Sequence, residues 1–218
     1  MLSIENAKKL IEELKEREII LGRKPETWFT YENHIMGVAN VAKKIASKID
    51  GMNIGEVYVS AMLHDICRTE EDRKQRFHGI LGYEKLKDID EKSARSALLH
   101  MFPWNKLPEY EKCSKMFFNK QEDYDFVADF IKKHETTDED LLIQLADSLA
   151  NKDGIVTLEQ RAKEYSERHG VELPQEVIEP RYKLKSYFDI KAGCEIYSLL
   201  QNSYNEQLKQ YKERSFFK

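Results

Sequence analysis

The segment IGEVYVSAMLHDICR, residues 54–68, is apolar around most of its circumference when wound as a helix, and its last turn carries His64, Asp65 and Arg68. A helix apolar on every side is one surrounded by other helices, not one lying on a surface. His64 and Asp65 are therefore expected in the interior. An isolated buried carboxylate costs roughly several kcal/mol to desolvate unless it is paired, hydrogen-bonded or bound to a metal. This stretch thus asks for a helical fold with a reason for charge at its centre.

Working outward, residues 3 to about 21 space Ile4, Leu10, Ile11, Leu14 and Ile19 as an amphipathic helix, with Ser3 as N-cap and Gly22 as stop. GRKPETWF, residues 22–29, reads as a turn, and ENHIMGVANVAKKIASKIDG, residues 32–51, as a second helix with His34 in its first turn. Beyond the central segment, a charge-dense connector covers residues 69–77. GILGYEKL (79–86) and EKSARSALLHMF (91–102) form two more helices, the latter stopped by Pro103. Residues 103–126 are irregular and rich in aromatics. Thr137 with Asp140 resembles a capping box opening DEDLLIQLADSLANKDG, residues 138–154. From about residue 157 two or more helices follow, joined by a Pro174 to Pro180 linker. No run alternates as a half-buried strand does, and no repeat of 20–50 residues is present. The expected fold class is all-α.

The 218 residues, 41% of them apolar, suffice for one well-packed domain or for a domain with a substantial extension. The net charge of −4 comes from 35 basic and 39 acidic residues interspersed along the chain, which gives no reason to expect nucleic-acid or membrane binding. MLSIENAKKLIEELKEREII mixes charge with apolar residues where a signal peptide would be uniformly apolar, so a soluble cytoplasmic protein is expected. Cys67, Cys113 and Cys194 form neither a CxxC pair nor a disulfide framework and read as small packing residues.

His34, His64, Asp65, His100 and Asp147 each lie within or beside an apolar helical run. Taken singly each has a plain reading: His34 as a capping residue, His100 as a satisfied core histidine, Asp147 as the partner of some arginine. Jointly, two acids among imidazoles ask for a cation, and helix bundles assemble metal sites from single inward residues on several facing helices.

A histidine, a His-Asp doublet and a distant aspartate, here His34, His64-Asp65 and Asp147 in LADSLA, form the pattern that resembles the HD superfamily of metal-dependent phosphohydrolases. The resemblance runs over roughly residues 28–152. It is nearest to members with two extra histidines, at whose places stand His78 and His100, such as the HD-type hydrolases of diadenosine tetraphosphate. It implies an HD domain with its N-terminal helix over residues 1–155 and a helical C-terminal extension, 156–218, packed on the same domain. It further implies that His34, His64, Asp65 and Asp147 hold one metal ion and Asp65, His78 and His100 a second, with Asp65 bridging. The region after residue 155 resembles the tails of a group of bacterial HD proteins and does not match the better-studied hydrolases, which leaves the substrate open.

Nitrogen and carboxylate ligands without thiolate suit Mn²⁺, Fe²⁺, Co²⁺, Zn²⁺ or, less well, Mg²⁺. The expected reaction is attack of a metal-bound hydroxide on the phosphoester or phosphoanhydride of a small phosphorylated substrate such as a nucleotide. Asp65 and Arg68 are the expected catalytic residues. Arg68 follows Asp65 by three residues and so shares its helical face, where it can clamp phosphate oxygens; the plain alternative is an ion pair to Glu71 or Asp72. Arg73, Lys74 and Arg76 read as solvated surface. Trp104, Phe117 and Phe118 read as packing, with a stacking face for a nucleobase as the functional alternative. His134 and His169, in polar surroundings, stay outside the metal site. Two other functions fit the same ligands: a di-iron oxygenase of HD architecture, and a non-catalytic module that binds metal or nucleotide. The composition allows an oligomer.

Overall fold

The computed structural model describes residues 2–68, 76–110, 117–118, 120–170 and 172–201. In chain order it contains α1 (Ile4–Ile20), α2 (Pro25–Ala46), α3 (Ile54–Leu63), α4 (His78–Leu86), α5 (Glu91–Leu99), a 3₁₀ turn (Pro103–Asn105), α6 (Gln121–Lys133), α7 (Asp138–Ser148), α8 (Leu158–His169) and α9 (Gln175–Lys191). An antiparallel hairpin of β1 (Ala150–Asn151) and β2 (Gly154–Ile155) separates α7 from α8. The fold is all-α, with this hairpin its one sheet among the described residues.

Local chemistry sets most boundaries. The Ser3 hydroxyl accepts from the Asn6 amide at 3.1 Å to open α1, and the Asn53 side chain accepts from Gly55 and Glu56 at 3.1 and 3.2 Å to open α3. Thr137 and Asp140 form a reciprocal capping box, and Thr157 with Gln160 forms a second at the start of α8. Gly170, at φ 67°, ends α8 in the left-handed conformation that suits glycine.

Three expectations need correction. GRKPETWF is a turn only at its start: Gly22 turns the chain, but α2 starts at Pro25, because proline is favoured where the first N–H has no helical partner. His34 consequently lies in mid-helix. The Pro174 to Pro180 segment is not a linker throughout, since α9 begins at Gln175 and carries Pro180 inside it. Finally, residues 149–154 leave the helix: the Asn151 side chain accepts from the Asp153 and Gly154 amides at 2.8 and 3.1 Å and turns the chain into the hairpin.

The helix α3 is enclosed by α1, α2, α5 and α7, which is why its apolar residues run all round. Val57, Val59, Ala61, Met62 and Leu63 are all buried there. A smaller aromatic core of Phe77, Phe102, Phe118 and Phe130 lies around α4, α5 and α6. The helix α9 packs on α7 and on the 3₁₀ turn. Among the described residues no helix is long and apolar enough to cross a membrane.

Candidate metal centre

Helix ends deliver most of the predicted site residues to one place. His64 caps the C-terminus of α3 and Asp65 follows in the turn. His78 is the first residue of α4, His100 caps the C-terminus of α5, and Asp147 stands in the last turn of α7. His34 comes from the middle of α2. Glycine permits the approach of α4 to α5: a Cβ on Gly79 would meet the Ala97 carbonyl oxygen at 2.8 Å, and one on Gly82 the Ala97 Cβ at 2.8 Å.

All six converge, and Asp65 stands between two groups. Its Oδ2 lies 3.5 Å from His34 Nε2 and 3.6 Å from His64 Nε2, and Asp147 Oδ1 lies 3.2 and 3.6 Å from the same two nitrogens. Its Oδ1 lies 3.1 Å from His78 Nε2 and 3.3 Å from His100 Nε2. The donor atoms of His34, His64 and Asp147, and separately those of His64, Asp65 and His100, lie within 4.8 Å of one another and could hold a metal ion.

Whether a cation fits is decided by how these atoms face each other. His34 Nε2, His64 Nε2 and Asp65 Oδ1 are buried and make no hydrogen bond, although a carboxylate or imidazole atom sits within 3.6 Å of each. The neighbours are near but misaligned for bonds to one another, as donors are when they point at a shared centre. Buried polar atoms are otherwise almost always satisfied. The outer nitrogens support the same orientation. Nδ1 of His64 donates to the Ala61 carbonyl at 2.7 Å and Nδ1 of His100 to the Ala97 carbonyl at 2.9 Å, since a carbonyl can only accept. The proton is thereby held on Nδ1 and the Nε2 lone pair is left facing the centre. The Tyr31 hydroxyl donates to the Asp65 carbonyl at 3.1 Å and steadies the turn. The residues present therefore fit divalent cations.

Electrostatics prepare the acids. Burial opposes the charge on Asp65, but the Arg68 guanidinium and the imidazoles outweigh it and hold the carboxyl well below the usual carboxylate range. Asp147 is held down in the same way by His34 and His64 against burial. Burial pulls His34 down but the nearby carboxylates of Asp147 and Asp65 raise it overall, whereas burial dominates at His78 and lowers it. Arg68 Nη1 donates to Asp65 Oδ2 at 2.6 Å, so the arginine pairs with the doublet aspartate. Glu71 and Asp72, its expected alternative partners, lie outside the described residues, as do Arg73, Lys74 and Cys113.

A cavity of about 250 Å³ opens onto Asp65, Arg68, His78, His100 and Asp147. Phe117 lines it, while Phe118 is buried among aromatics and Trp104 packs edge-on against Tyr187. Arg76 is not a bare surface residue, because it pairs with Glu84 at 2.9 Å and with Asp123 at 3.4 Å. His134 ends α6, stacked on Phe130, and His169 ends α8. Arg161, Tyr165, Arg168 and Arg181, from α8 and α9, also line the cavity and were missed from sequence. Arg161, Tyr165 and Arg168 stand at i, i+4 and i+7, which puts three side chains on one face of α8, but that spacing alone does not tell a cavity wall from a solvated face.

The model of a protein family described as the HD domain matches residues 31–152, more than half of the chain. No curated protein matches it, and no solved structure does.

Proposed function

Because the chain belongs to the HD domain family, we propose that it is a metal-dependent phosphohydrolase acting on a small phosphorylated molecule of the cell interior. The observation that carries this reading is the placement of Asp65, whose two oxygens face two different sets of imidazoles. On it, His34, His64, Asp65 and Asp147 hold one divalent ion and Asp65, His78 and His100 a second. The two added histidines favour the subgroup that includes the HD-type hydrolases of diadenosine tetraphosphate. Residues 156–170 and 172–201 form an extension that packs on the same domain.

Bound there, divalent ions acidify water and stabilise the charge of a phosphoryl group in displacement. The chain's own residues prepare that chemistry. The carbonyls of Ala61 and Ala97 fix the tautomers of His64 and His100. Asp65 and Asp147 stay ionised at neutral pH. Arg68, at the cavity wall beside Asp65, binds phosphate oxygens as a fixed cation.

The test is a screen of phosphomonoesters, nucleotides and dinucleoside polyphosphates with Mn²⁺, Fe²⁺ and Co²⁺, beside elemental analysis of the wild type, Asp65→Ala and His78→Ala. Turnover by the loaded wild type and a lower metal content in both variants are expected. Equal metal content in all three, or no turnover of any phosphoester by loaded protein, overturns the reading.

A further inference from the structure

The cavity over the metal centre has a wall that the HD region does not supply. The family match ends at residue 152, yet Arg161, Arg168 and Arg181 line the cavity beside Asp65 and Asp147. A second cavity of about 170 Å³ lies against His34 and Thr30, and it shares Arg68, Arg161 and Arg168 with the first. A row of guanidinium groups therefore runs between two openings that both reach the same centre.

Along this row ion pairs are shared between arginines. Arg161 Nη1 lies 3.0 Å from Glu164 Oε2 and Arg168 Nη1 lies 3.7 Å from Glu164 Oε1, so one carboxylate serves two arginines. Arg181 is half-buried and donates to the Val177 carbonyl, and among the described residues no carboxylate makes an ion pair with it. Desolvation lowers its pKa, the charge of Asp147 opposes this, and Arg161 adds to the lowering. A guanidinium desolvated without an ion-paired acid is costly unless an anion joins it. Its position is nevertheless fixed: Trp104 Nε1 donates to the carbonyl of the preceding Pro180 at 3.1 Å, and the Tyr187 hydroxyl donates to Asp138 Oδ1 at 2.5 Å. Arg68, Arg161, Arg168 and Arg181 thus line one cavity together with Asp65 and Asp147. One phosphate group would be satisfied at the metal centre, which leaves the arginines of α8 and α9 for others.

We propose that α8 and α9 form a phosphate-reading wall, in which Arg161, Arg168 and Arg181 bind the uncleaved phosphate groups of an organic substrate that carries two or more phosphates. The proposal rests on the phosphohydrolase reading for which bond is cleaved, and on the arginine row for what is bound. Leu158, Val177 and Ile178 give the same cavity an apolar side for the organic part. Planar guanidinium groups suit this task, since each can bind two phosphate oxygens at once.

The test uses the full chain loaded with Mn²⁺ and titration calorimetry with two probes. One is adenosine 5′-methylenediphosphonate, whose P–C–P bridge resists hydrolysis, and the other is adenosine 5′-monophosphate. The wild type should bind the first more tightly by about tenfold, as charge-assisted hydrogen bonds to a further phosphate group would give. Arg181→Gln and the double variant Arg161→Gln/Arg168→Gln should each cut that preference to about twofold or less, with metal content unchanged and Tm not lowered for Arg181→Gln. Arg181→Lys should restore part of it. If Arg181→Gln does not fold, the double variant decides alone, because Arg168 is exposed and Arg161 half-buried on α8. Equal affinity for both probes in the wild type, or an undiminished preference in the folded variants, overturns the wall. An arginine-dependent preference in a protein that turns over no phosphoester would keep the wall and remove the hydrolase reading. Turnover without the preference would do the reverse.

Discussion

Two buried polar clusters share α5 and α7, and they are built on opposite logic. Around Gln144 every group has its partner. Its side-chain oxygen accepts from the Trp104 amide at 2.9 Å, and its nitrogen donates to the Leu99 carbonyl at 3.2 Å and to Asn105 Oδ1 at 2.6 Å. Asn105 in turn donates to Thr136 Oγ1 at 3.0 Å. This network holds Trp104 and Asn105 at φ 63° and 50°, left-handed values uncommon for residues with side chains, directly after His100 and the end of α5. Three residues further along α7, Asp147 joins five other acids and imidazoles at 3.1 to 3.6 Å, and three of their atoms make no hydrogen bond. A closed network stands by itself. An open one converging on a point needs a cation, and the contrast within one pair of helices separates a structural polar cluster from a chemical one.

The largest expected effect comes from breaking the open cluster at its centre. Asp65→Ala should lower turnover by at least roughly 100-fold and reduce both metal equivalents, measured by steady-state assay and elemental analysis. Turnover within a few-fold of wild type would end the distinction between the clusters. Chelation comes next. Removing metal from the wild type should lower its unfolding free energy by about 3 to 4 kcal/mol if the ions bind 100- to 1,000-fold below their working concentration. Denaturant melts with and without chelator read this out, and Asp65→Ala should show little response.

Breaking the closed cluster should do something different. Gln144→Leu leaves the Trp104 amide and the Leu99 carbonyl without their side-chain partner, so stability should fall by about 1 to 3 kcal/mol while metal content holds. Loss of metal in that variant would mean that the two clusters act as one. The smallest effect lies outside both, where Asp138 receives Lys191 and the Tyr187 hydroxyl. Burial is the largest single influence and raises its pKa, but those donors together lower it overall. Because its folded pKa is below its unfolded one, its stabilisation is present above the ordinary carboxylate range and is lost as pH falls through the folded value. The group is about one-third exposed, so the effect should stay below about 1 kcal/mol. Tm profiles of wild type and Asp138→Asn should differ near neutrality and converge in acid.

Much of this was legible in the sequence. The all-round apolar pattern of residues 54–68 required an enclosed helix, and the Thr137 and Asp140 pair marked the start of α7 because capping is a local interaction. Five of the six acids and imidazoles could be picked out because each conflicts with its apolar surroundings, and His78 only through the resemblance to the HD pattern. Arg161, Arg168 and Arg181 could not, since an arginine in a polar helix agrees with solvent exposure and raises no conflict. Pro180 misled for a related reason. Proline reads as a breaker, yet α9 continues through it, packed on α7 and tied to Trp104 through the Pro180 carbonyl.

The amino-acid order by itself determined that this chain forms helices around a buried helix and that its buried acids need positive partners, because apolar periodicity and desolvation cost act over a few residues. Only the tertiary structure decided that Asp65 turns one oxygen to each set of imidazoles, that the Gln144 network closes, and that the arginines of α8 and α9 face the centre. Those outcomes depend on how helix ends separated by tens of residues meet, and no local rule of sequence specifies that angle or that distance.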